Sequence, residues 1–152
     1  MAAKKFPTTF NDEKLGTFEL VHKASGTRAE YATKIALGDS LVKLVVYSNE
    51  RTGDMEESLT FGRELHKSAQ KVLNSVNAFI KAKILPSLNK TLFASNPRSF
   101  QELLKMLTLV IVDVHADGRA TFSFETGESL DGHSLVLFGK STGEIEDFDL
   151  PG

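Results

Sequence analysis

The last third of the chain, Leu107 to Gly152, constrains the fold most, because four short strand-like runs follow one another there around glycine turns. Its last two runs, His133 to Gly139 and Glu144 to Leu150, flank a turn at Ser141-Thr142-Gly143. Strands joined by turns this short pair antiparallel. The sequence therefore predicts an antiparallel four-stranded meander at the carboxyl end.

The first turn of this meander can be assigned from the positions of its apolar residues. A two-residue Asp117-Gly118 turn would pair apolar side chains with polar ones across the two strands. A three-residue Ala116-Asp117-Gly118 loop, with a left-handed glycine in a bulge, pairs Val112 with Phe122 and Val110 with Phe124. We predict the three-residue loop.

The amino-terminal third indicates another meander. A turn at Ser25-Gly26 would set Leu20 opposite Tyr31, and a turn at Gly38-Asp39 would set Tyr31 opposite Val46. Glycine at the first central position of the second turn is typical of a type II′ hairpin. Three antiparallel strands with one shared apolar face are predicted here.

Between the two meanders, apolar residues recur at every third or fourth position instead of at every second one. Residues from about Met55 to Leu85 carry the stripe of an amphipathic helix, and Pro86 is expected to end or kink it. Ser99 followed by Glu102 has the spacing of a capping box at the start of a short second helix. The fold class predicted is α+β, a three-stranded meander, a long and a short helix packed on the sheet, then a four-stranded meander.

Composition indicates one ordinary globular domain. The chain has 152 residues, of which 41% are hydrophobic and 25% charged, and it has no cysteine. We expect a partly flexible arm over residues 1–14 and a single domain over 15–152. The opening residues lack the apolar core of a signal peptide, and no apolar run approaches the ~18 residues of a membrane helix. We expect a cytoplasmic protein that does not bind membranes.

Charge is distributed unevenly. From Leu107 onward there are 9 acidic residues and only 2 basic ones. The densest part of this block consists of Glu144, Glu146, Asp147 and Asp149. Such a surface repels phosphate backbones and attracts basic proteins. We predict a protein partner with a basic surface and no nucleic acid, while a solvated strand surface is the simplest alternative.

Two strings in the chain imitate catalytic motifs. Gly139-Lys140-Ser141-Thr142-Gly143 fits G-x-S-x-G, but a nucleophile elbow needs a strand followed by a helix, and strand-like residues follow here. The same segment imitates the end of a P-loop, yet the required first glycine is Ser134. Neither motif predicts an activity.

A metal site is the sharper catalytic hypothesis. Asp113 and His115 alternate along one predicted strand, and Asp131 and His133 could approach from a neighbouring one. One or two imidazoles with carboxylates would suit Zn²⁺, Mn²⁺ or Fe²⁺. The alternatives are that Asp113 and His115 lie on a solvent-facing side of a strand, and that His133 fixes a loop by hydrogen bonding.

The order of short motifs along nearly the whole chain resembles one protein family. Those motifs are Leu15-Gly16-Thr17-Phe18, Ala82 to Asn89, Ser99-Phe100, Gly132-His133-Ser134-Leu135-Val136, and Asp149 to Gly152. They resemble an uncharacterised bacterial domain-of-unknown-function family whose members end in a Gly-His-Ser strand and a final strand closed by glycine. Relatives of that family resemble small domains encoded near polymorphic toxins, for which an immunity role has been suggested. The resemblance implies binding rather than catalysis.

The function predicted is therefore that of a non-enzymatic protein-binding domain, in its most concrete form a toxin-neutralising immunity protein, with no cofactor. One alternative is a metal-dependent hydrolase that uses His115 and His133 with nearby carboxylates. Another is a passive subunit of a homo-oligomeric scaffold.

Overall fold

A computed structural model describes residues 6–152 and contains eight strands and four α-helices. The strands before the helices are β1 (Thr9–Asp12), β2 (Gly16–Leu20), β3 (Glu30–Leu37) and β4 (Ser40–Tyr47). The helical segment comprises α1 (Glu56–Lys67), α2 (Ala69–Phe79), a π-helical turn (Ile80–Ile84), α3 (Leu85–Lys90) and α4 (Phe100–Met106). The last strands are β5 (Thr108–Val114), β6 (Arg119–Glu125), β7 (Leu135–Lys140) and β8 (Ile145–Asp149). Across residues 6–152, none of the helices is long and apolar enough to span a bilayer.

All eight strands form one sheet in sequence order, β1 to β8. Every neighbouring pair is antiparallel except β4 and β5, which are parallel. The helical segment between β4 and β5 makes this parallel pairing possible, because it carries the chain back to the end of the sheet where β4 began. The two meanders are thus joined at the centre of a single sheet.

The predicted α+β class is confirmed, but there are four strands before the helices rather than three. The additional strand β1 pairs with β2, and the Phe10 ring stacks on Phe18 at 5.0 Å between centroids. β1 falls within the predicted arm of residues 1–14, of which residues 1–5 lie outside the described part of the chain. Four strands on each side of the helices give the sheet its central parallel pair.

Most predicted registers are confirmed. Leu20 pairs with Tyr31, Tyr31 with Val46, and Val112 with Phe122. The Ala116-Asp117-Gly118 loop forms as predicted, with Gly118 at a φ of 88°.

Two details of register are wrong. Phe124 pairs with Leu109 instead of Val110, because a bulge interrupts β5 between Leu109 and Ile111. The first hairpin turn is displaced by one residue, since the bridge next to it joins Ser25 to Arg28.

Pro86 does not end the helical segment, which continues through it. It lies in the first turn of α3, where its missing N–H costs little. The π-helical turn precedes it, and the Leu85 N–H donates to the Ile80 carbonyl five residues back. A wider turn of this kind accommodates a residue that the regular α-helical ladder would reject. The capping box of Ser99 and Glu102 forms at the start of α4, as predicted.

One hydrophobic core lies between the helices and one face of the sheet. It includes fully buried Phe18, Tyr31 and Phe122 from the strands and Leu65 and Val76 from the helices. The opposite side of the sheet carries the alternate residues of each strand, and we call it the open face because no helix of residues 6–152 packs on it. Tyr31 and its neighbour Ala32 illustrate the alternation, since the first is buried in the core and the second is half-buried on the open face.

Candidate functional site

The structure does not bring the two predicted metal-binding histidines together. His115 pairs with Arg119 at the start of β6, whereas the backbone carbonyl of His133 accepts a hydrogen bond from Thr126 just beyond its end. The seven residue steps from Arg119 to Thr126 extend over roughly 23 Å at the ~3.3 Å rise of a strand. The coordinating nitrogens of two histidines that share one ion lie within ~4 Å of each other. The placement of His115 and His133 therefore does not support a shared metal.

His133 is engaged in fixing the connection between β6 and β7. Its Nδ1 lies 2.9 Å from the Leu150 carbonyl oxygen, and its backbone N–H donates to Leu130. Asp131 is exposed in the same connection at a φ of 52°. Within residues 6–152 no group of three or more histidine, aspartate or glutamate side chains is placed to hold a metal ion. The loop-fixing alternative for His133 agrees with these contacts.

Asp113 and His115 instead meet Tyr47 at the carboxyl ends of the parallel strands β4 and β5. The Tyr47 hydroxyl donates to Asp113 Oδ1 at 2.9 Å, and its ring stacks on His115 at 4.4 Å between centroids. Burial, together with the nearby carboxylates of Asp113 and Glu30, raises the pKa of Tyr47. Burial also raises the pKa of Asp113, although the Tyr47 hydrogen bond opposes that change. The cluster therefore consists of a hydrogen-bonded phenol and carboxyl group, with an imidazole stacked on the phenol ring.

A cavity of about 560 Å³ opens beside this cluster. Most charged side chains that line the cavity have a partner of opposite charge. Arg28 lies 3.9 Å from Glu50, and Arg119 lies 2.6 Å from Asp117. His22 lies 3.5 Å from Glu30. The hydroxyl of Ser48 donates to the Thr27 carbonyl and accepts from the Ala29 N–H. Of the described lining residues, Ser48 is thus occupied in holding the backbone and is not poised as a nucleophile.

The sequence pointed to Asp113 and His115 but not to Tyr47 or Glu30. Nothing in the pattern of single strands identifies those two, because they join the cluster only through the parallel pairing of β4 and β5. Carboxyl ends of parallel strands are frequent sites of ligand clefts. The missing signal was therefore the strand order.

The two tyrosines provide a direct test of this geometry. The chain contains Tyr31, Tyr47 and no tryptophan, so phenolate absorbance reports these two groups alone. Burial raises the pKa of both hydroxyls, so the native protein should show less phenolate than the unfolded chain near pH ~10, where an unfolded tyrosine is half ionised. The stability that the protonated hydroxyls contribute is complete below that pH and is lost as pH rises toward the native pKa values. Native titration with an ordinary midpoint, equal to that in urea, would contradict the burial of both rings.

The segment that imitates G-x-S-x-G forms the β7–β8 hairpin. Ser141 is buried in the turn, and its backbone N–H donates to the Gly118 carbonyl. Gly143 has a φ of 90° and lies against α2. Close packing against α2 explains the glycine at position 143. A strand rather than a helix follows Ser141.

The four predicted partner-binding acids separate into different environments. Glu144 lies in the hairpin turn, 3.5 Å from Lys140, and Glu146 is the extra residue of a bulge in β8. Asp147 and Asp149 pair with Phe138 and Val136, and these four side chains therefore share the open face.

β8 is an edge strand whose outward donors are already used. Ser134 N donates to Pro151 O, and by antiparallel alternation the N–H groups of Phe148 and Leu150 point away from β7. Each of them donates at 2.8 Å to the preceding carboxylate, Asp147 or Asp149. These carboxylates therefore protect the edge against pairing with another strand.

Three rows of residues cross the open face in register. The first runs from β2 to β8 through Glu19, Ala32, Val45, Asp113, Thr121, Phe138 and Asp147. The second runs from β3 to β8 through Lys34, Lys43, Ile111, Ser123, Val136 and Asp149. Phe138 is 42% exposed, and Leu41, farther along β4, is 67% exposed. A third row runs through Glu30, Tyr47, His115, Arg119 and Lys140. Charged side chains of both signs are therefore distributed over the open face, and Phe138 is an exposed apolar side chain among them.

No family model, no curated protein and no solved structure matches this chain. The family resemblance drawn from the short motifs stays a prediction.

Proposed function

We propose that this chain is a non-enzymatic protein-binding domain whose open face binds a basic protein, most concretely a toxin that it neutralises. The observation that carries the proposal is the position of Phe138. This large apolar side chain is 42% exposed beside Asp147 in register and close to Val136 and Asp149.

An exposed aromatic side chain within a charged margin has the anatomy of a protein interface. Aromatic anchors supply most of the binding energy at such surfaces, and charges at the rim set partner choice and association rate. Among the described residues neither Asp147 nor Asp149 has a cationic partner, and both are exposed. A basic partner would provide the missing counter-charges.

The occupant proposed is a folded basic surface rather than an added strand. The outward N–H groups at the edge of β8 already donate to Asp147 and Asp149. An incoming strand would have to replace these bonds before it could pair. Side chains of the open face, and not the backbone of its edge, are the expected contacts.

The experiment places a photo-crosslinking amino acid at Phe138 in the native host and identifies the protein that is captured. The captured protein is then purified, and its affinity is measured for the native chain and for the double variant Asp147→Lys/Asp149→Lys. We expect a basic partner whose dissociation constant rises ~10-fold or more, because two attractive contacts become repulsive.

The matched control is Glu13→Lys/Glu64→Lys, which makes the same change in net charge at exposed positions away from the open face. If both double variants weaken binding equally, the effect is one of net charge and the proposed surface is wrong. For the toxin-neutralising form, the captured partner must be toxic when produced alone, and the native chain must suppress that toxicity.

A further inference from the structure

Three connections at one end of the sheet enclose the cavity beside Tyr47, which opens at the carboxyl ends of β4 and β5. They are the β2–β3, β4–α1 and β5–β6 connections, residues 21–29, 48–55 and 115–118. Hydrogen bonds fix the first two to each other, and the Thr27 hydroxyl donates one of these bonds to the Glu50 carbonyl. The walls of the cavity are therefore preformed, as they are in most sites for small molecules.

One wall of the cavity is aromatic. Tyr47 and His115 stack on each other, and both rings line the cavity and are half-buried. Glu30 is the cross-strand partner of Tyr47 and lies beside this aromatic wall. A planar cation can stack on aromatic rings and form hydrogen bonds to a carboxylate at the same time.

Two carboxylates beside the aromatic wall lack a strong counter-charge. Among residues 6–152, neither Glu30 nor Asp113 forms an ion pair with a lysine or an arginine. Glu30 has the exposed imidazole of His22 at 3.5 Å, and Asp113 has the uncharged hydroxyl of Tyr47. A bound cation would supply the missing positive charge.

The exposed residues of the cavity form its mouth, where the balance of charge is different. Lys23 and Arg51 line the mouth and form no ion pair within the described part of the chain. The acids of the mouth are engaged by neighbouring side chains: Glu50 by Arg28, Asp117 by Arg119, and Glu57 by Asn49. Unpaired charge is therefore positive at the mouth and negative at the aromatic wall.

We propose that this cavity binds a small guanidinium compound that carries a carboxylate at its other end. The planar guanidinium forms two hydrogen bonds to the Glu30 carboxylate and stacks on the aromatic wall. The His22 side chain moves aside, because it is exposed. The carboxylate of the ligand meets Lys23 and Arg51 at the mouth. A cavity of about 560 Å³ is of the size that small ligands occupy. This inference goes beyond the proposed function and requires no partner protein.

Three related compounds test the proposal on the native chain. Nα-acetyl-L-arginine has both charges, its amide lacks the carboxylate and represents an arginine side chain within a protein, and Nα-acetyl-L-citrulline replaces the guanidinium with an uncharged urea. In NMR titrations we expect the first compound to shift the amide signals of Tyr47 and His115 saturably, with a dissociation constant of ~1 mM or lower. The amide should bind ~3-fold more weakly and the citrulline compound ~10-fold more weakly, because each loses one charged contact.

Matched variants locate the bound compound. Glu30→Gln removes the carboxylate at the aromatic wall and should raise the dissociation constant of Nα-acetyl-L-arginine ~10-fold. Glu50→Gln removes the same charge from the mouth of the same cavity and should not weaken binding, because the freed Arg28 adds positive charge where the carboxylate lies. Lys23→Gln/Arg51→Gln should abolish the difference between Nα-acetyl-L-arginine and its amide. Circular dichroism confirms that each variant is folded.

The guanidinium site would be overturned by equal binding of the arginine and citrulline compounds, by the absence of saturable shifts up to ~20 mM, or by equal losses from Glu30→Gln and Glu50→Gln. An amide that binds as tightly as the acid would overturn the carboxylate contact and make an arginine side chain of a protein the ligand. These results are separable from the proposed function. If Nα-acetyl-L-arginine does not bind while the Asp147→Lys/Asp149→Lys variant still loses the captured partner, the partner surface stands and the cavity site fails.

Discussion

Replacement of Gly143 by alanine should lower the free energy of unfolding by about 3 kcal/mol. Gly143 has a φ of 90°, and a Cβ built there would lie 2.7 Å from the Val72 carbonyl oxygen of α2. The left-handed backbone costs an alanine ~1–2 kcal/mol. The clash with helix backbone adds ~1–3 kcal/mol, because backbone cannot move aside as a flexible side chain does. Urea denaturation monitored by circular dichroism measures the change.

Gly127→Ala is the matched control for this variant. Gly127 also has a positive φ, of 56°, but a Cβ there would meet nothing within 4 Å. Its substitution should cost only the backbone part, ~1 kcal/mol. Equal losses for the two variants would mean that the β7–β8 turn does not pack on α2, and that a motif-like glycine is explained by its backbone conformation alone.

Local patterns were sufficient for most of the hairpins. Apolar alternation together with the residues available for each turn allowed only one sensible pairing of Tyr31 with Val46 and of Val112 with Phe122. The bulge at Val110 could not be foreseen, since both Leu109 and Val110 are apolar and either could face Phe124. Alternation predicts which face a residue takes only while the ladder is regular.

The long-range features of the fold left weaker signals. β1 has only four residues, and its Phe10 is held by stacking on Phe18. No local sequence pattern predicts this contact. The parallel pairing of β4 with β5 depends on how 60 residues of helix and loop return the chain, numbers 48–107. For this reason the cluster of Tyr47, Asp113 and His115 could not be assembled from sequence.

The sequence showed that acidic residues are concentrated near the carboxyl end, but not which of them lie on the open face. Asp147 and Asp149 occupy the open face because β8 continues the register of β7, while the bulge at Glu146 changes the alternation on the turn side. Composition gives the number of charges near the carboxyl end. Only the ladder decides which of them lie together with Phe138.

The short strand β1 is held to α1 by a buried ion pair. The Asp12 side chain is 5% exposed, and its Oδ1 accepts from Arg63 Nε at 3.0 Å and from Arg63 Nη2 at 2.6 Å. Its Oδ2 accepts from the backbone N–H groups of Lys14 and Leu15. Burial alone would raise the pKa of Asp12, but these hydrogen bonds outweigh it and hold the pKa below its usual value.

Arg63→Met should destabilise the protein by about 3 kcal/mol near neutral pH, because it leaves the Asp12 carboxylate buried without its counter-charge. In the native chain the lowered pKa contributes stability above the unfolded pKa of ~4, and that contribution disappears as pH falls through the native value. In the variant, burial favours the protonated acid, so acidification relieves the penalty and the difference between the two chains should shrink below pH ~4. Asp12→Asn in the Arg63→Met background should recover part of the loss, since a neutral amide oxygen still accepts the two backbone hydrogen bonds.

Lys67→Met, an exposed change on the same helix, is the control and should change the free energy of unfolding by no more than ~0.5 kcal/mol. A loss that is independent of pH and unaffected by Asp12→Asn would mean that Arg63 acts through packing of its methylene groups and not through its charge.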